Sequence, residues 1–157
     1  MTRRIATIGY EGATIEEFVA SLRHASVDLL IDVRDVPISR KKGFSKNRLA
    51  EYLAAEGIDY VHLKGLGDPK EGREAARAGK YALFERIFGK HLRSAAAIDA
   101  LEEAASLAKS QRICLMCFEA DAQRCHRTMV ADRLSDMTGL SVVALSAREP
   151  AGVRLAA

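Results

Sequence analysis

The most reactive side chains of this sequence stand close together in one short stretch. They are, in chain order, Cys117, Glu119, Cys125, His126 and Arg127. The first two end an apolar run, and the other three begin a helical pattern. A helix N-terminus carries partial positive charge, which stabilises a thiolate or a bound anion. This combination predicts nucleophilic and acid–base chemistry, with either thiol as the nucleophile and His126 as the proton-transfer group.

Asp32 and Arg34 form a second polar group, at the end of the apolar run 29–33. The loop that follows carries Ser39 and three consecutive cations at 40–42. A basic loop before a helix suits phosphate binding through backbone amides and cationic side chains. A solvated charged loop is the alternative for residues 40–42. Arg34 is different, because it leaves a buried strand beside Asp32 and its position is thereby constrained.

The three cysteines lie in one region, and their pattern argues against a disulfide framework. Their number is odd, and we expect the chain to have no export signal. Cys114 and Cys117 have a C-x-x-C spacing, but their segment is typical of a buried strand. Residues three apart in a strand point to opposite faces. We therefore expect these two thiols to diverge.

Metal binding is an alternative use of the same side chains. Cysteine, histidine and glutamate are all competent ligands of zinc or iron. Cys125 and His126 are adjacent on the predicted helix, however, about 100 degrees apart, and such neighbours rarely bind one ion together. Structural zinc sites also prefer two spaced pairs of ligands. We therefore predict no metal and no cofactor, and keep a metal-binding protein that uses Cys, His and Glu as a further alternative.

The elements that would position these groups alternate along the chain. Strand-like apolar runs occupy residues 5–8, 29–33, 58–63, 113–117 and 141–145. Two helical patterns begin at a capping box at 14–17 and at Ser45. Three more cover residues 81–88, 95–109 and 122–137. The charged segment 64–77 is interpreted as a long surface loop.

Alternating strands and helices predict a mostly parallel five-stranded sheet with helices on both faces. Right-handed crossovers then suggest the strand order 3-2-1-4-5. We expect one α/β domain over residues 1–157. In this order the first and fourth strands are neighbours where the winding reverses, and ligands of open α/β sheets bind outside the carboxyl ends of strands at such a point. The residues at those strand ends are Gly9, Tyr10, Asp32, Arg34, Cys117 and Glu119.

Composition narrows the classes of protein further. The chain has 157 residues, of which 48% are hydrophobic and 29% charged, as in an ordinary globular domain. No apolar run approaches the roughly 20 residues that cross a bilayer. We therefore expect a cytoplasmic protein without a membrane partner. The net charge of +3 is too small to identify a partner, and the 6% of aromatic residues counts against single-strand nucleic-acid binding.

The motifs also resemble those of a known family. They are Thr7-Ile8-Gly9-Tyr10, Asp32-Val33-Arg34 with Pro37 and Ser39, Tyr60-Val61-His62-Leu63 with Leu66-Gly67, Cys117-x-Glu119 and Cys125-His126-Arg127. In order and approximate spacing they are similar to the domain of unknown function 488 family, over nearly the whole chain. Members commonly read Gly-His-Ser where this chain has Gly9-Tyr10-Glu11, so no histidine role is transferred there. The resemblance implies a compact, Rossmann-like α/β domain and supplies no established reaction.

Together these patterns predict an enzyme that acts on a small phosphate-bearing or nucleotide-like substrate, free or within a nucleic acid. Arg34 and Arg127 would hold its anionic groups, and Asp32 or Glu119 would orient a cation or the histidine. The candidate catalytic residues are Cys117, Glu119, Cys125, His126 and Asp32. The candidate substrate-binding residues are Arg34, Arg127, Ser39, Gly9, Tyr10 and Tyr60. The alternative is a non-catalytic module that binds a nucleotide or a nucleic acid, and the oligomeric state stays open.

Overall fold

The computed structural model of the protein describes residues 3–148 and, at Arg124, the backbone alone. The strands in this range are β1 (Ile5–Gly9), β2 (Leu29–Asp32), β3 (Asp59–His62), β4 (Ile113–Cys117) and β5 (Val142–Ala144). The helices are α1 (Ile15–His24), α2 (Lys46–Ala54), α3 (Lys70–Arg77), α4 (Tyr81–His91), α5 (Ala95–Ala108) and α6 (His126–Thr138). Two short 3₁₀ turns span Lys64–Leu66 and Ala122–Arg124. None of the helices in residues 3–148 has the length and apolar composition needed to span a bilayer.

The five strands form one parallel sheet in the order β3-β2-β4-β1-β5. The predicted order 3-2-1-4-5 is wrong in one respect, because β4 lies between β2 and β1. All five residues of β4 are buried, and a strand with no polar residue is covered best at the centre of a sheet. The crossover rule restricts the handedness of a connection and not the number of strands it skips. The predicted contact between β1 and β4 is confirmed.

Helices cover both faces of the sheet, as expected. On one face, Phe18 of α1 and Leu49 of α2 belong to a core that also contains Cys114. On the other face, the core contains residues of α4, α5 and α6 together with Cys117. The two cysteines therefore point to opposite faces, which confirms the prediction that their thiols diverge. The helices α1 and α6, which follow the neighbouring strands β1 and β4, therefore lie on opposite faces.

The start of α1 is as predicted. The hydroxyl of Thr14 accepts a hydrogen bond from the backbone N–H of Glu17 at 3.0 Å, and the Glu17 carboxylate accepts one from the backbone N–H of Thr14 at 2.9 Å. This reciprocal pair is a capping box, which satisfies two backbone donors of the first turn. It fixes where the chain turns from the β1 end into the helix.

Two local predictions are wrong. Residues 64–77, interpreted as a loop, contain a 3₁₀ turn and α3. The buried residues of α3 are Gly72 and Ala75, and such small side chains give almost no apolar periodicity. The helix predicted to start near residue 122 starts at His126, because Cys125 has an extended backbone with φ −131° and ψ 142°. Cys125 is the N-cap of α6, and its sulfur accepts the backbone N–H of Arg127 at 3.4 Å.

Candidate functional site

The carboxyl ends of β1, β2 and β4 open into one pocket of about 830 Å³. The residues that line it include Tyr10, Arg34, Asp68, Cys117, Glu119 and His126. The pocket is thus bordered by the reactive side chains of four predicted candidates, Arg34, Cys117, Glu119 and His126. A fifth, Tyr10, adds an aromatic ring and a hydroxyl. The predicted convergence of three separate stretches of chain is present.

Asp32 and Arg34 form a buried ion pair beneath the pocket. The Arg34 Nε and Nη2 atoms donate to the two carboxylate oxygens of Asp32, at 2.9 and 2.7 Å. Tyr60 donates its hydroxyl to Asp32 at 2.6 Å, and Arg34 donates to the Tyr10 hydroxyl at 3.2 Å. Burial opposes the charge of Arg34, but the hydrogen bonds and charge of Asp32 outweigh it and raise the pKa of Arg34 above its ordinary value. Asp32 and Tyr60 therefore orient Arg34, and only Arg34 reaches the pocket.

His126 joins the start of α6 to the end of β2. Its Nε2 lies 2.6 Å from the carbonyl oxygen of Val33, and since a carbonyl only accepts, Nε2 carries the proton. Burial lowers the pKa of His126 to about 4, so the imidazole is neutral near pH 7. Its other nitrogen, Nδ1, is then an acceptor and lies 3.7 Å from the Cys125 sulfur. The nitrogen of His126 that can accept a proton therefore lies beside the Cys125 sulfur.

Arg127 lies under the turn that follows β4, with none of its surface exposed. Its guanidinium donates to the sulfur of Cys117 at 3.0 Å and to the backbone carbonyls of Glu119 and Ala120. Burial lowers the pKa of Arg127 below its ordinary value. The Nε atom has no hydrogen-bond partner among the described residues. Arg127 therefore shapes the turn and faces a sulfur atom, and does not line the pocket where a ligand anion would bind.

Cys117 and Cys125 form a disulfide that links the end of β4 to the start of α6. The expectation from the odd cysteine count is thus corrected: two of the three pair, and only Cys114 is free. Cys114 is enclosed on the other face of the sheet, where burial raises the pKa of its thiol above the ordinary value. The pairing could not be read from spacing because Cys125 lies in the non-helical N-cap position, which turns its side chain back toward β4.

The same two sulfurs and a carboxylate oxygen of Glu119 lie within 4.8 Å of one another. When the disulfide is reduced, Cys117, Cys125 and Glu119 are the described residues that could together hold a metal ion. His126 is not part of this group, although its Nδ1 lies 3.7 Å from the Cys125 sulfur.

Gly9 is required by a close approach of backbone to backbone. A Cβ atom at this position would lie 1.7 Å from the carbonyl oxygen of Glu119 and 2.9 Å from the Arg127 guanidinium. Only a residue without a side chain fits at this crossing of β1 and the turn after β4. Gly9 is therefore a packing position and has no surface for a substrate. Tyr10, the next residue, stacks on Phe44 with ring centroids 4.4 Å apart.

Ser39 does not line the pocket, although its chain neighbour Ile38 does. Its backbone N–H donates to the hydroxyl of Ser45 at 3.0 Å, and its own hydroxyl accepts from the backbone of Lys41 at 3.1 Å. These bonds shape the basic loop before α2. Arg40 and Lys42 on this loop are exposed, which matches the plainer interpretation of a solvated charged loop.

Asp68 is the main pocket residue that the sequence motifs did not reveal. It is 5% exposed, and its Oδ1 atom has no hydrogen-bond partner among the described residues. Burial raises the pKa of Asp68 to about 7; the nearby Arg73 guanidinium acts in the opposite direction, and Glu119 adds to the rise. A Cβ at Gly72 would lie 2.0 Å from Oδ1, so this glycine leaves the space that the carboxyl occupies. The signal in the sequence was the Gly67-Asp68-Pro69 turn ahead of α3.

The rest of the pocket wall is mixed in charge. Burial raises the pKa of Glu119. Arg73 donates to Asp35 at 3.0 Å, while the side chain of Arg77, at the end of α3, has no hydrogen bond or ion pair in the range 3–148. The wall also carries the aromatic rings of Tyr10, Tyr81, Phe84 and Phe118. The pocket therefore offers stacking surfaces, proton-transfer groups and one cation, Arg77, whose charge acts on Glu119 without a direct ion pair between them in the described chain.

Comparison with known proteins gives one match. The family model described as domain of unknown function DUF488 matches residues 14–134. This range includes α1 to α5, most of α6, and the turn that carries Cys117 and Cys125. Neither curated proteins nor solved structures give a significant match. Since the matched range covers well over half of its length, the chain belongs to the family of the domain of unknown function DUF488.

Proposed function

We propose that the protein is an enzyme that performs acid–base catalysis on a small, phosphate-bearing, nucleotide-like substrate bound in the pocket. The observation that carries this proposal is Asp68, a buried carboxyl with one oxygen that has no partner in residues 3–148, at the wall of an open pocket. A group that is half protonated near its pKa of about 7 both takes and gives a proton at neutral pH. Unpaired buried polar atoms beside a pocket are typical of catalytic sites.

The neighbours of Asp68 support a division of roles between two carboxyl groups. Glu119 comes from the turn after β4 and Asp68 from the segment just before α3. Burial raises the pKa of each; the charge of Glu119 adds to the rise at Asp68, and the charge of Glu11 adds to the rise at Glu119. Two carboxyl groups in one pocket can serve as acid and base on the same substrate.

The substrate class is inferred from the other pocket walls. Flat aromatic rings of Tyr10, Phe118 and Tyr81 suit a planar base, and Arg77 at the rim suits a phosphate group. A volume of about 830 Å³ lies within the range of small-molecule sites. The Arg34 guanidinium faces the same space and is held rigidly by Asp32. A nucleotide-like molecule presents a base, hydroxyl groups and a phosphate, and so matches all three kinds of wall.

Within this proposal the predicted catalytic residues take different roles. Asp32 positions Arg34, and His126 positions α6 and Cys125, because each is already bound to protein atoms. Arg127 stabilises the turn that presents Glu119. We also propose a cytoplasmic location, where such substrates are found, and a Rossmann-like binding mode in which the ligand lies across the carboxyl ends of β1 and β4.

Isothermal titration of the full chain tests the binding half of the proposal. The probes are nucleoside monophosphates of the four common bases, the matching nucleosides, and inorganic phosphate. We expect at least one monophosphate to bind, and Arg77→Ala to weaken it by roughly tenfold without changing binding of the nucleoside. Binding of no monophosphate, or binding that Arg77→Ala leaves unchanged, contradicts the proposal.

Turnover of the bound compound, followed by chromatography and mass spectrometry, tests the catalytic half. Asp68→Asn should lower the rate by roughly 10²–10⁴-fold while binding changes only a few-fold. Glu74→Gln is the matched control, because Glu74 is an exposed carboxylate on α3. Equal rates for Asp68→Asn and the wild type would remove Asp68 from the mechanism.

A nucleic-acid-binding module is the second candidate, supported by the rim of the pocket. Ile38 is 72% exposed and Val36 49%, both border the pocket, and the basic residues 40–42 follow them in the chain. Exposed apolar side chains beside cations suit contact with an unstacked base and its phosphates. This module would bind oligonucleotides with an affinity that falls steeply with salt. Salt-insensitive binding, or none at low salt, decides against it.

A further inference from the structure

We propose that Cys117 and Cys125 are a catalytic dithiol that reduces small hydroperoxides, with Cys117 as the nucleophile and Cys125 as the resolving thiol. The two sulfurs already form a disulfide, which is the product of such a reaction. This activity differs from the acid–base chemistry proposed for Asp68, since it uses neither the substrate nor the carboxyl group of Asp68, although the Glu119 carboxyl has a role in both. The surroundings of the two sulfurs differ in a way that assigns the two roles.

The charge of Arg127 favours a thiolate at Cys117. Arg127 is fully buried, and no carboxylate in residues 3–148 lies within ion-pair distance of it. A buried cation without an anion is strongly unfavourable. The closest atom that can become an anion is the Cys117 sulfur, 3.0 Å from the guanidinium. After reduction, therefore, a Cys117 thiolate completes the ion pair that the fold otherwise lacks.

Cys125 has a different neighbour and stays protonated. Its sulfur lies 3.7 Å from Nδ1 of His126. The bond from Nε2 to the Val33 carbonyl fixes the tautomer, so Nδ1 accepts and does not donate. A neutral acceptor holds the thiol proton of Cys125 without stabilising a thiolate. It can take that proton when Cys125 attacks another sulfur.

Access to Cys117 selects the oxidant. The residue borders the pocket but is only 1% exposed, so a small molecule reaches its sulfur and a protein disulfide does not. Glu119 Oε1 lies 3.6 Å from the same sulfur. At this distance the Glu119 carboxyl is placed to give a leaving alkoxide its proton. Nucleophile, cation and proton donor thus meet at the floor of the pocket.

The reaction takes two steps and balances. The Cys117 thiolate attacks the terminal oxygen of ROOH: an S–O bond forms, the O–O bond breaks, and RO⁻ takes the Glu119 proton to leave as ROH. Cys125 then attacks the sulfenic sulfur of Cys117: the S–S bond forms, the S–OH bond breaks, and hydroxide takes the Cys125 proton through His126 to leave as water. The two sulfurs lose two electrons and the peroxide gains them. A dithiol such as dithiothreitol, and in the cell a reductant of the same chemical class, restores both thiols.

The test uses the full-length protein after reduction and removal of reductant. Hydrogen peroxide or tert-butyl hydroperoxide should consume two thiols per peroxide, at least tenfold faster per thiol than free cysteine. Mass spectrometry should then find the new disulfide between Cys117 and Cys125. Cys117→Ser should abolish the fast reaction. In Cys125→Ser the reaction should stop at a sulfenic acid on Cys117, which dimedone traps. Cys114→Ser is the control and should react as the wild type does, because Cys114 is buried on the other face of the sheet.

Several results overturn the proposal, and they do not depend on how stable the variants are. The proposal is wrong if the wild type reacts with peroxide no faster than free cysteine does, or if it reacts with glutathione disulfide but not with peroxide. A different disulfide after oxidation, or sulfenic acid on Cys125, also overturns it. One equivalent of zinc or iron held by the reduced wild type would assign the sulfurs and Glu119 to a metal site instead.

Discussion

The Nε2 atom of His126 lies 2.6 Å from the carbonyl oxygen of Val33, and this bond connects the N-terminus of α6 to the end of β2. The imidazole is buried, and its edge packs against Phe88 with ring centroids 5.1 Å apart. A residue of this type and position invites a catalytic interpretation. The bond of Nε2 to Val33 gives it a structural role, and only Nδ1, beside the Cys125 sulfur, stays available for proton transfer.

His126 should make the protein less stable in mild acid. Burial lowers the pKa of His126 to about 4, from 6.5, so the unfolded chain binds the proton more readily. Its contribution to stability is therefore complete above about pH 6.5 and is lost as the pH falls toward 4. Urea unfolding should show that the free energy of unfolding of the wild type rises between pH 4.5 and 7. For His126→Gln this rise should be smaller by roughly 2–3 kcal/mol. His24→Gln, at an exposed histidine of α1, is the control; an unchanged slope for His126→Gln refutes the prediction.

Asp68, in contrast, should make the protein less stable as the pH rises. Burial raises the pKa of Asp68 to about 7 from 3.8, so the folded protein holds a proton that the unfolded chain releases. Stability is then lost as the pH rises from about 4 to 7. Asp68→Asn resembles the protonated form and lacks this loss. Its free energy of unfolding, relative to that of the wild type, should therefore increase by roughly 2–4 kcal/mol between pH 4.5 and 8. Urea unfolding measures this difference, and a constant difference across that range would show that Asp68 is charged throughout.

The ion pair of Asp32 and Arg34 should be costly to break from one side. Both residues are buried, and Arg34 donates to both carboxylate oxygens. Asp32→Asn leaves a buried guanidinium without its anion and should reduce the free energy of unfolding by about 3–5 kcal/mol. The double variant Asp32→Asn with Arg34→Met should recover part of that loss, since it removes the uncompensated charge. A double variant less stable than Asp32→Asn would contradict this account.

Gly9→Ala should disturb the turn after β4. The added Cβ would lie 1.7 Å from the Glu119 carbonyl oxygen, so β1 and this turn must move apart. We expect a loss of at least 2 kcal/mol, on the order of a severe packing change. Gly89→Ala in α4 is the matched control: its Cβ meets only Met129, at 4.0 Å, and alanine should stabilise that helix by roughly 0.5–1 kcal/mol. Thermal unfolding compares the two, and equal effects would rule out the close approach as the reason for Gly9.

Local patterns were sufficient for the class of fold and for one edge of the site. The buried runs that end in Asp32 and in Cys117 are strands of one parallel sheet, and their ends do meet in a pocket. This follows because alternating apolar runs and helical patterns leave few ways to bury both faces of a sheet. The capping box at Thr14 and the divergence of Cys114 from Cys117 are equally local, and both were correct.

Other features depended on neighbours far along the chain. The placement of β4 between β2 and β1 is a matter of pairing partners, which periodicity does not encode. Asp68 was not identified because α3 buries only small residues and gives no helical period. The role of Cys125 changed because its backbone is extended at the N-cap, which turns the sulfur toward Cys117.

The amino-acid sequence by itself determined an α/β chain with reactive groups at the ends of two strands, since those signals depend on residues near one another. The tertiary structure decided which groups face the pocket and which lie under it. Asp32 and Arg127, which lie under it, and His126, which borders it, are bound to other protein atoms. Asp68 keeps an oxygen without a partner in the described chain. Hydrogen bonding and burial set the pKa of each group, and both arise only when distant segments pack together.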